Sequence, residues 1–258
     1  MGADTTEQKN RSTFAAAATS TTVYVPTGIE GLDYVLSGGL VAGNVVLFGG
    51  FRGSGKSTLW VQALDSLSAR RKVLYASSEQ SAEGVGQIAR RVGACNDKVI
   101  ALGNQSRIED TIAIVKEERI FCTVYDSLQK YTSNQSSGSP GSAQQGTAVA
   151  SAIKEDCRTR NVCAIVINQM ARSGELRGGT DVEHDLDTVA VLAYPQANDE
   201  DAPGDETDGI RLLVVDKNRS GSENLRSYFR MTEVGALERV EKKSKIIDIS
   251  KGKYRRHD

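Results

Sequence analysis

The run Gly50-Phe51-Arg52-Gly53-Ser54-Gly55-Lys56-Ser57 sets glycines, a lysine and a hydroxyl at the spacing GxxxxGK(S/T), and that combination suits the holding of phosphates. Glycines let the backbone curl with its N–H groups turned inward, Lys56 adds a point charge, and Ser57 stands where a hydroxyl can ligate Mg2+. A helix opening near Gly55 aims the positive end of its dipole at the same anions. Gly50, Arg52, Gly53, Ser54, Gly55, Lys56, Ser57 and Thr58 are the residues expected to line a nucleoside triphosphate.

Hydrolysis of such a ligand needs further metal support, a carboxylate to orient or deprotonate water, and positive charge on the γ-phosphate in the transition state. Asp126 ends the apolar run Phe121–Tyr125 and is the candidate for the metal, beside Ser57. Glu79 ends Val73–Ser78; it reads either as the water-polarising carboxylate or as an ordinary acid opening a helix. Gln169, after Val162–Asn168, reads either as a γ-phosphate sensor or as a buried structural amide. Lys217 and Arg219, two positions apart and so on one face of a strand end, are either cations for a neighbouring subunit's nucleotide or solvated edge charges. His184 has no second histidine before the tail, which favours a structural hydrogen bond over metal ligation.

Those residues need a scaffold that brings strand ends together. Short apolar runs at 45–48, 73–76, 99–102, 121–125, 164–167, 188–192 and 210–215 alternate with helical patterns at 57–69, 80–93, 107–118 and 144–159. Near-continuous apolar strands separated by helices predict an α/β fold with a mostly parallel sheet covered on both faces. The last two runs follow one another without a helix and predict an antiparallel hairpin at the sheet edge. Residues 1–21 read as a disordered arm, 22–240 as one ATPase-type domain, and 241–258 as a basic tail.

Two polar stretches follow strands. Tyr131–Gly146 is Gly/Ser-rich and reads as too polar to be buried; Ala171–Thr180 carries Arg172 and Arg177. Each is a linker taken alone, but ligands of open α/β sheets gather beyond the strands' carboxyl ends, which places both near the nucleotide edge. The formal net charge of −1 excludes a uniformly basic wrapper of nucleic acid, so any polyanion site must be local. The 4 cysteines include no CxxC pair, against a zinc site or a disulfide framework and in favour of a reducing cytosol. No apolar run approaches the about 18 residues of a membrane span.

Taken in order, these segments resemble the RecA-like ATPase core of the bacterial RadA/Sms recombination proteins, allied to the DnaB-type hexameric helicases. Thr27-Gly28-Ile29-Glu30-Gly31-Leu32-Asp33 looks like that family's opening motif, Val73–Ser81 like its VLYVSGEES, and Asp126-Ser127-Leu128-Gln129 like its DSIQ. Ser139–Ser142 is similar to APGS, 183–189 to LEHxVDTV, and Lys217-Asn218-Arg219-Ser220-Gly221 to KNRFG. The resemblance implies a P-loop NTPase of RecA type that hydrolyses ATP with Mg2+ as a homo-oligomeric, six-membered ring on single-stranded DNA. It also implies that Lys217 and Arg219 act in trans and that Lys130, Arg172 and Arg177 meet DNA phosphates. Ser220 replaces the signature Phe, Gln80 the second Glu of SGEES, and Gln169-Met170-Ala171-Arg172 the family's HVTK. No cysteine precedes Cys95, so the four-cysteine zinc module has no counterpart here, and the sequence stops shortly after the core, where the family continues into a Lon-like domain.

Three functions follow. The first is an ATP-driven motor on single-stranded DNA, serving branch migration or helicase-like translocation. The second is a KaiC-like signalling ATPase or autokinase, and the third a nucleotide-gated mediator that loads a partner recombinase.

Overall fold

The computed structural model describes residues 13–14, 22–171, 180–196, 199, 202–203 and 209–240. Most of the arm, the tail, Arg172, Arg177 and most of the acidic stretch after Gln196 lie outside the described residues.

The strands are β1 (Tyr24–Val25), β2 (Leu40–Val41), β3 (Val45–Gly50), β4 (Val73–Ser77), β5 (Val99–Leu102), β6 (Cys122–Asp126), β7 (Cys163–Gln169), β8 (Thr188–Ala193), β9 (Ile210–Asn218), β10 (Arg226–Met231) and β11 (Leu237–Val240). The helices are α1 (Glu30–Val35), α2 (Lys56–Ser68), α3 (Ala82–Val92), α4 (Ile108–Glu117), α5 (Ala143–Arg160) and α6 (Thr180–Asp185). Nine strands form one sheet in the order β11-β10-β9-β8-β3-β7-β6-β4-β5. From β8 to β5 the pairs are parallel; β8–β9, β9–β10 and β10–β11 are antiparallel.

Alternation along the central strands divides the core in two. Val46 and Phe48 with Tyr75, Val124 and Ile165 face one side, where Leu59, Trp60 and Leu64 of α2 cover them. Val45 and Leu47 with Leu74, Tyr125 and Val166 face the other, under Ile108 and Ile112 of α4 and Val149 and Ile153 of α5. Strands buried on both faces read as unbroken apolar runs, which is why the sequence pattern located them. Phe48 and Trp60 meet edge to face with ring centroids 5.4 Å apart.

Local chemistry sets the helix ends. The Ser81 hydroxyl accepts from the Gly84 amide at 3.2 Å to open α3, and left-handed Gly93 closes it. Ser142 caps α5 in the same way through Gln145, and left-handed Asn161 ends it. In the opening motif, Asp33 accepts from the Thr27 amide and hydroxyl at 2.7 Å each and from the Gly28 amide at 3.0 Å, tying the turn that leads into α1.

Two details differ from the pattern reading. The hairpin of β8 and β9 is antiparallel as expected, but β10 and β11 extend it, so the edge strand is β11. Arg226–Met231 interleaves charge with ring, and Leu237–Val240 buries one residue fully, so neither offers an apolar run. The second concerns Tyr131–Gly146, whose middle is exposed as its composition predicts, at Asn134, Gln135, Ser137 and Ser139–Gly141, but whose ends are anchored in the molecule: Tyr131 is 1% exposed, Ser133 4% and Gln145 4%. Its polar atoms satisfy one another, for the Gln145 side-chain amide donates to the carbonyls of Ser136 and Gly138 at 3.0 Å and accepts from the Ser133 amide at 2.8 Å.

Candidate functional site

β3 delivers the chain into the loop at Gly50, where the backbone passes so close to β8 that a Cβ would stand 2.4 Å from the Leu192 carbonyl oxygen. Gly55, at φ +102, turns the loop into α2, and a Cβ there would meet Leu237 at 2.9 Å and Met231 at 3.0 Å. Lys56 is 8% exposed and its ammonium donates to the carbonyls of Gly50 and Phe51, each at 2.8 Å. Burial lowers its pKa, while the carboxylates of Asp126 and Glu79 act in the opposite sense.

Ser57 begins the face of α2 that meets β6. Its hydroxyl donates to Asp126 Oδ2 at 2.7 Å, and the buried Tyr75 hydroxyl donates to the same oxygen. Burial raises the Asp126 pKa, against the two hydroxyl hydrogen bonds that favour the carboxylate.

Parallel strands end side by side, and this collects the remaining candidates. Ser77 of β4 is in register with Asp126 of β6, Asp126 with Ile167 of β7, and Gln169 with Gly50 of β3. Beyond these ends Glu79 Oε1 accepts from the Ser127 hydroxyl at 2.7 Å and from Gln169 Nε2 at 3.2 Å. Glu79 is exposed, so it faces solvent from the same rim that carries the loop. Next to it, the Gln129 side chain donates to Asn168, linking the DSLQ segment to the end of β7.

Lys217 and Arg219 lie elsewhere. Asn218 is in register with Thr188, and Thr188 with Val46 at the start of β3, so the end of β9 lies at the opposite end of the sheet from Gly50. Four strand residues separate those levels by roughly 13 Å. Within the chain the two cations hold the C-terminal end of α6: Lys217 donates to the carbonyls of Glu183, His184 and Leu186 at 2.7–2.9 Å, and Arg219 to His184 at 3.1 Å and to Asp187 Oδ1 at 3.3 Å. Partial burial, then Arg219, lowers the Lys217 pKa. His184 thus takes part through its carbonyl. Ser220, in the position of the signature Phe, accepts from Tyr24 at its carbonyl and from Asn44 at its hydroxyl. Lys130 is exposed at the end of a 3-10 turn, Leu128–Lys130, just past Asp126.

The residues present fit a nucleotide and its metal. The Ser54 hydroxyl is buried in the loop without a hydrogen-bond partner. The first turn of α2 carries no acid, and its N-cap makes no side-chain bond, leaving its amides to an anion. A cavity of about 260 Å³ adjoins the loop, lined by Gly53, Ser57, Thr58, Arg91, Met231 and Gly235. Arg91 closes its far wall, donating to the Val234 carbonyl at 2.6 Å and to Thr58 Oγ1 at 3.3 Å. Ser57 and Asp126 form the hydroxyl and carboxylate pair that suits Mg2+; among the described residues, no group of three or more His, Cys, Asp and Glu forms a separate metal cluster.

The sequence patterns assign no role to Tyr75, Arg91 or Arg211, and they include Gln129 only as the end of the segment resembling DSIQ. Tyr75 reads as one more apolar strand residue, and only its hydroxyl, deep in a run that ends at an acid, betrays it. Arg211 is a charge inside an otherwise apolar run, a signal that was present in the sequence.

The geometry yields a test. Asp126→Asn keeps an oxygen for Ser57 and Tyr75 to donate to and removes a buried charge. A raised folded-state pKa means that the ionised carboxylate costs stability above the unfolded value of about 3.9, and that the cost vanishes below it. The variant is expected to melt a few degrees above wild type near neutral pH and level with it in acid, while losing Mg2+-dependent ATP turnover. Thermal melts across pH check the first part and a phosphate-release assay the second.

The phosphate loop, the acid at the end of β6 and the strand order define a P-loop ATPase core of RecA type. The ATPase family model described as KaiC matches residues 25–111. A KaiC-like protein from Pyrococcus horikoshii OT3 shares the fold at a TM-score of 0.66 and 17% identity, over 86% of this chain and 100% of that one. The "DNA repair protein RadA" of Aquifex aeolicus is 34% identical over 212 residues, 82% of this chain and 45% of the relative. That of Pseudomonas aeruginosa is 33% identical over 233 residues, 90% and 49% respectively. The chain carries a RecA-like core of the RadA kind and spans about half the length of the curated relatives it matches. Among the described residues no helix is long and apolar enough to cross a membrane.

Proposed function

We propose that the chain is an ATP-driven motor on single-stranded DNA, working in recombination or repair as an oligomeric ring with its nucleotide sites between subunits. The placement of Lys217 and Arg219 carries this reading, since they sit at the end of the sheet away from their own loop and can complete a phosphate site only on an adjoining copy. The names of the RadA relatives supply the link to DNA repair.

In this scheme the loop amides and Lys56 grip the β- and γ-phosphates, and Ser57 and Asp126 would hold Mg2+. Bound Mg2+ supplies charge neutralisation at those phosphates. Glu79 orients the attacking water and takes up its proton, and Gln169, bonded to Glu79, senses whether a γ-phosphate is in place. The polar stretches Tyr131–Gly146 and Ala171–Thr180 face the DNA, with Lys130, Arg172 and Arg177 pairing with its phosphates.

ATP turnover is expected to rise severalfold with added single-stranded DNA at low salt and to lose that stimulation as salt increases, because phosphate contacts release counterions. Turnover indifferent to every oligonucleotide at low salt would remove DNA from the scheme. The KaiC-like family match and fold neighbour favour one second reading, an autokinase. Label from γ-labelled ATP appearing on the chain's own Ser or Thr without DNA would support it. A DNA-bound chain with no turnover and a partner recombinase in its complexes would instead indicate a mediator.

A further inference from the structure

Arg211 is the second residue of β9 and is 8% exposed. Its Nε donates to the Ser54 carbonyl in the phosphate loop at 3.2 Å and its Nη1 to the Ile210 carbonyl at 3.0 Å. The guanidinium lies 4.3 Å from the centroid of the Tyr194 ring, and Nη2 approaches the Met231 sulfur at 3.9 Å. Among the described residues it meets carbonyls, a ring face and a thioether and makes no ion pair. Burying a cation without a carboxylate is costly, and an anion in the adjacent loop offsets that cost.

The contact also fixes an orientation. The Ser54 carbonyl and the Gly55 N–H belong to one planar peptide unit, and in a trans unit they point in opposite directions. Holding the carbonyl back against β9 turns the amide the other way. Gly55 has no side chain to set that orientation, and its left-handed φ of +102 is one that few other residues adopt. Met231 and Leu237 press on the same glycine, so β9, β10 and β11 together form the wall that shapes the loop.

We propose that Arg211 is a positioning residue of the triphosphate site: it holds the Ser54 carbonyl outward so that the Gly55 amide faces the phosphates, and its charge is balanced by the bound polyanion. The proposal rests on the phosphate-loop reading above. It requires that the benefit of Arg211 grow with the number of phosphates and depend on positive charge as well as on hydrogen bonding.

The test is calorimetric titration of the full chain with inorganic tripolyphosphate, ATP, ADP and AMP. Arg211→Gln is expected to weaken tripolyphosphate and ATP about tenfold, ADP less and AMP least, and to raise KM more than it lowers kcat. Arg211→Lys is expected to recover most of that loss. Wild-type tripolyphosphate affinity in Arg211→Gln, or an equal loss in both variants, would overturn the assignment. Should Arg211→Gln not fold, Tyr194→Leu decides, because it loosens the guanidinium without touching the loop. About a threefold loss for tripolyphosphate is expected there, and no loss is the contrary result. Lys56→Ala serves as the control: if it binds tripolyphosphate as wild type does, the phosphate-loop reading itself fails and the role of Arg211 with it.

Discussion

Lys56→Ala is expected to abolish ATP turnover and to weaken ATP binding about a hundredfold while leaving the fold standing. Charge-assisted hydrogen bonds from one ammonium to two phosphate groups contribute about 3 kcal/mol or more together, which is the hundredfold. The fold tolerates the change because both carbonyls that Lys56 serves keep backbone donors. The Gly50 carbonyl accepts from the Met170 amide at 3.1 Å, and the Phe51 carbonyl from the Ser54 amide at 3.2 Å. The ammonium is also held in a desolvated site that lowers its pKa, so removing it relieves a burial cost. Calorimetric ATP titration should show the loss, and a melting temperature within a few degrees of wild type should show the intact fold. An unfolded variant would mean that the lysine is structural, and unchanged turnover would mean that the loop is not the site.

Arg219→Ala is expected to reduce turnover about a thousandfold yet leave ATP binding to each chain nearly unchanged, because a cation acting in trans serves the transition state on the neighbouring copy. Its contacts at home are modest: the pair with Asp187 spans 3.3 Å and the Arg219 side chain is 46% exposed, so its loss should cost at most about 1 kcal/mol of stability. Mixing separates the roles. In random one-to-one assemblies of Lys56→Ala with Arg219→Ala chains, about a quarter of the seams pair an intact Lys56 with an intact Arg219. Turnover should return to that order. Two inactive variants that stay inactive on mixing would place the whole site within one chain.

The sheet was legible because its parallel strands are buried on both faces, and each of the seven apolar runs corresponds to a strand. Glu79, Asp126 and Gln169 could be singled out for the same reason: each is a polar residue at or just past the end of such a run, and parallel strands bring those ends to one rim. What escaped notice depends on contacts that no run can encode. Tyr75 looks apolar from its neighbours, and nothing in the composition of Tyr131–Gly146 shows that the buried Gln145 amide pins its exposed middle through the Ser136 and Gly138 carbonyls. β10 and β11 are too short or too charged to register as runs. Lys217 and Arg219 lie at the end of β9, where their spacing alone suggests a shared face, but their grip on the carbonyls of α6 depends on the fold. Arg172 and Arg177 lie outside the described residues.

The separation of the loop from Lys217 and Arg219 along the sheet restricts the geometry of any assembly that shares these sites. A two-fold dimer could share them only if the loop and the two cations fell within one self-complementary patch, each copy then serving the other. Where they lie on different faces, copies stack head to tail, either closing on themselves or growing as an open helix. An open stack always keeps one nucleotide without its outside cations, at a terminus, while a closed one keeps none. Closure alone would thus raise the activity per chain, most in the shortest assemblies.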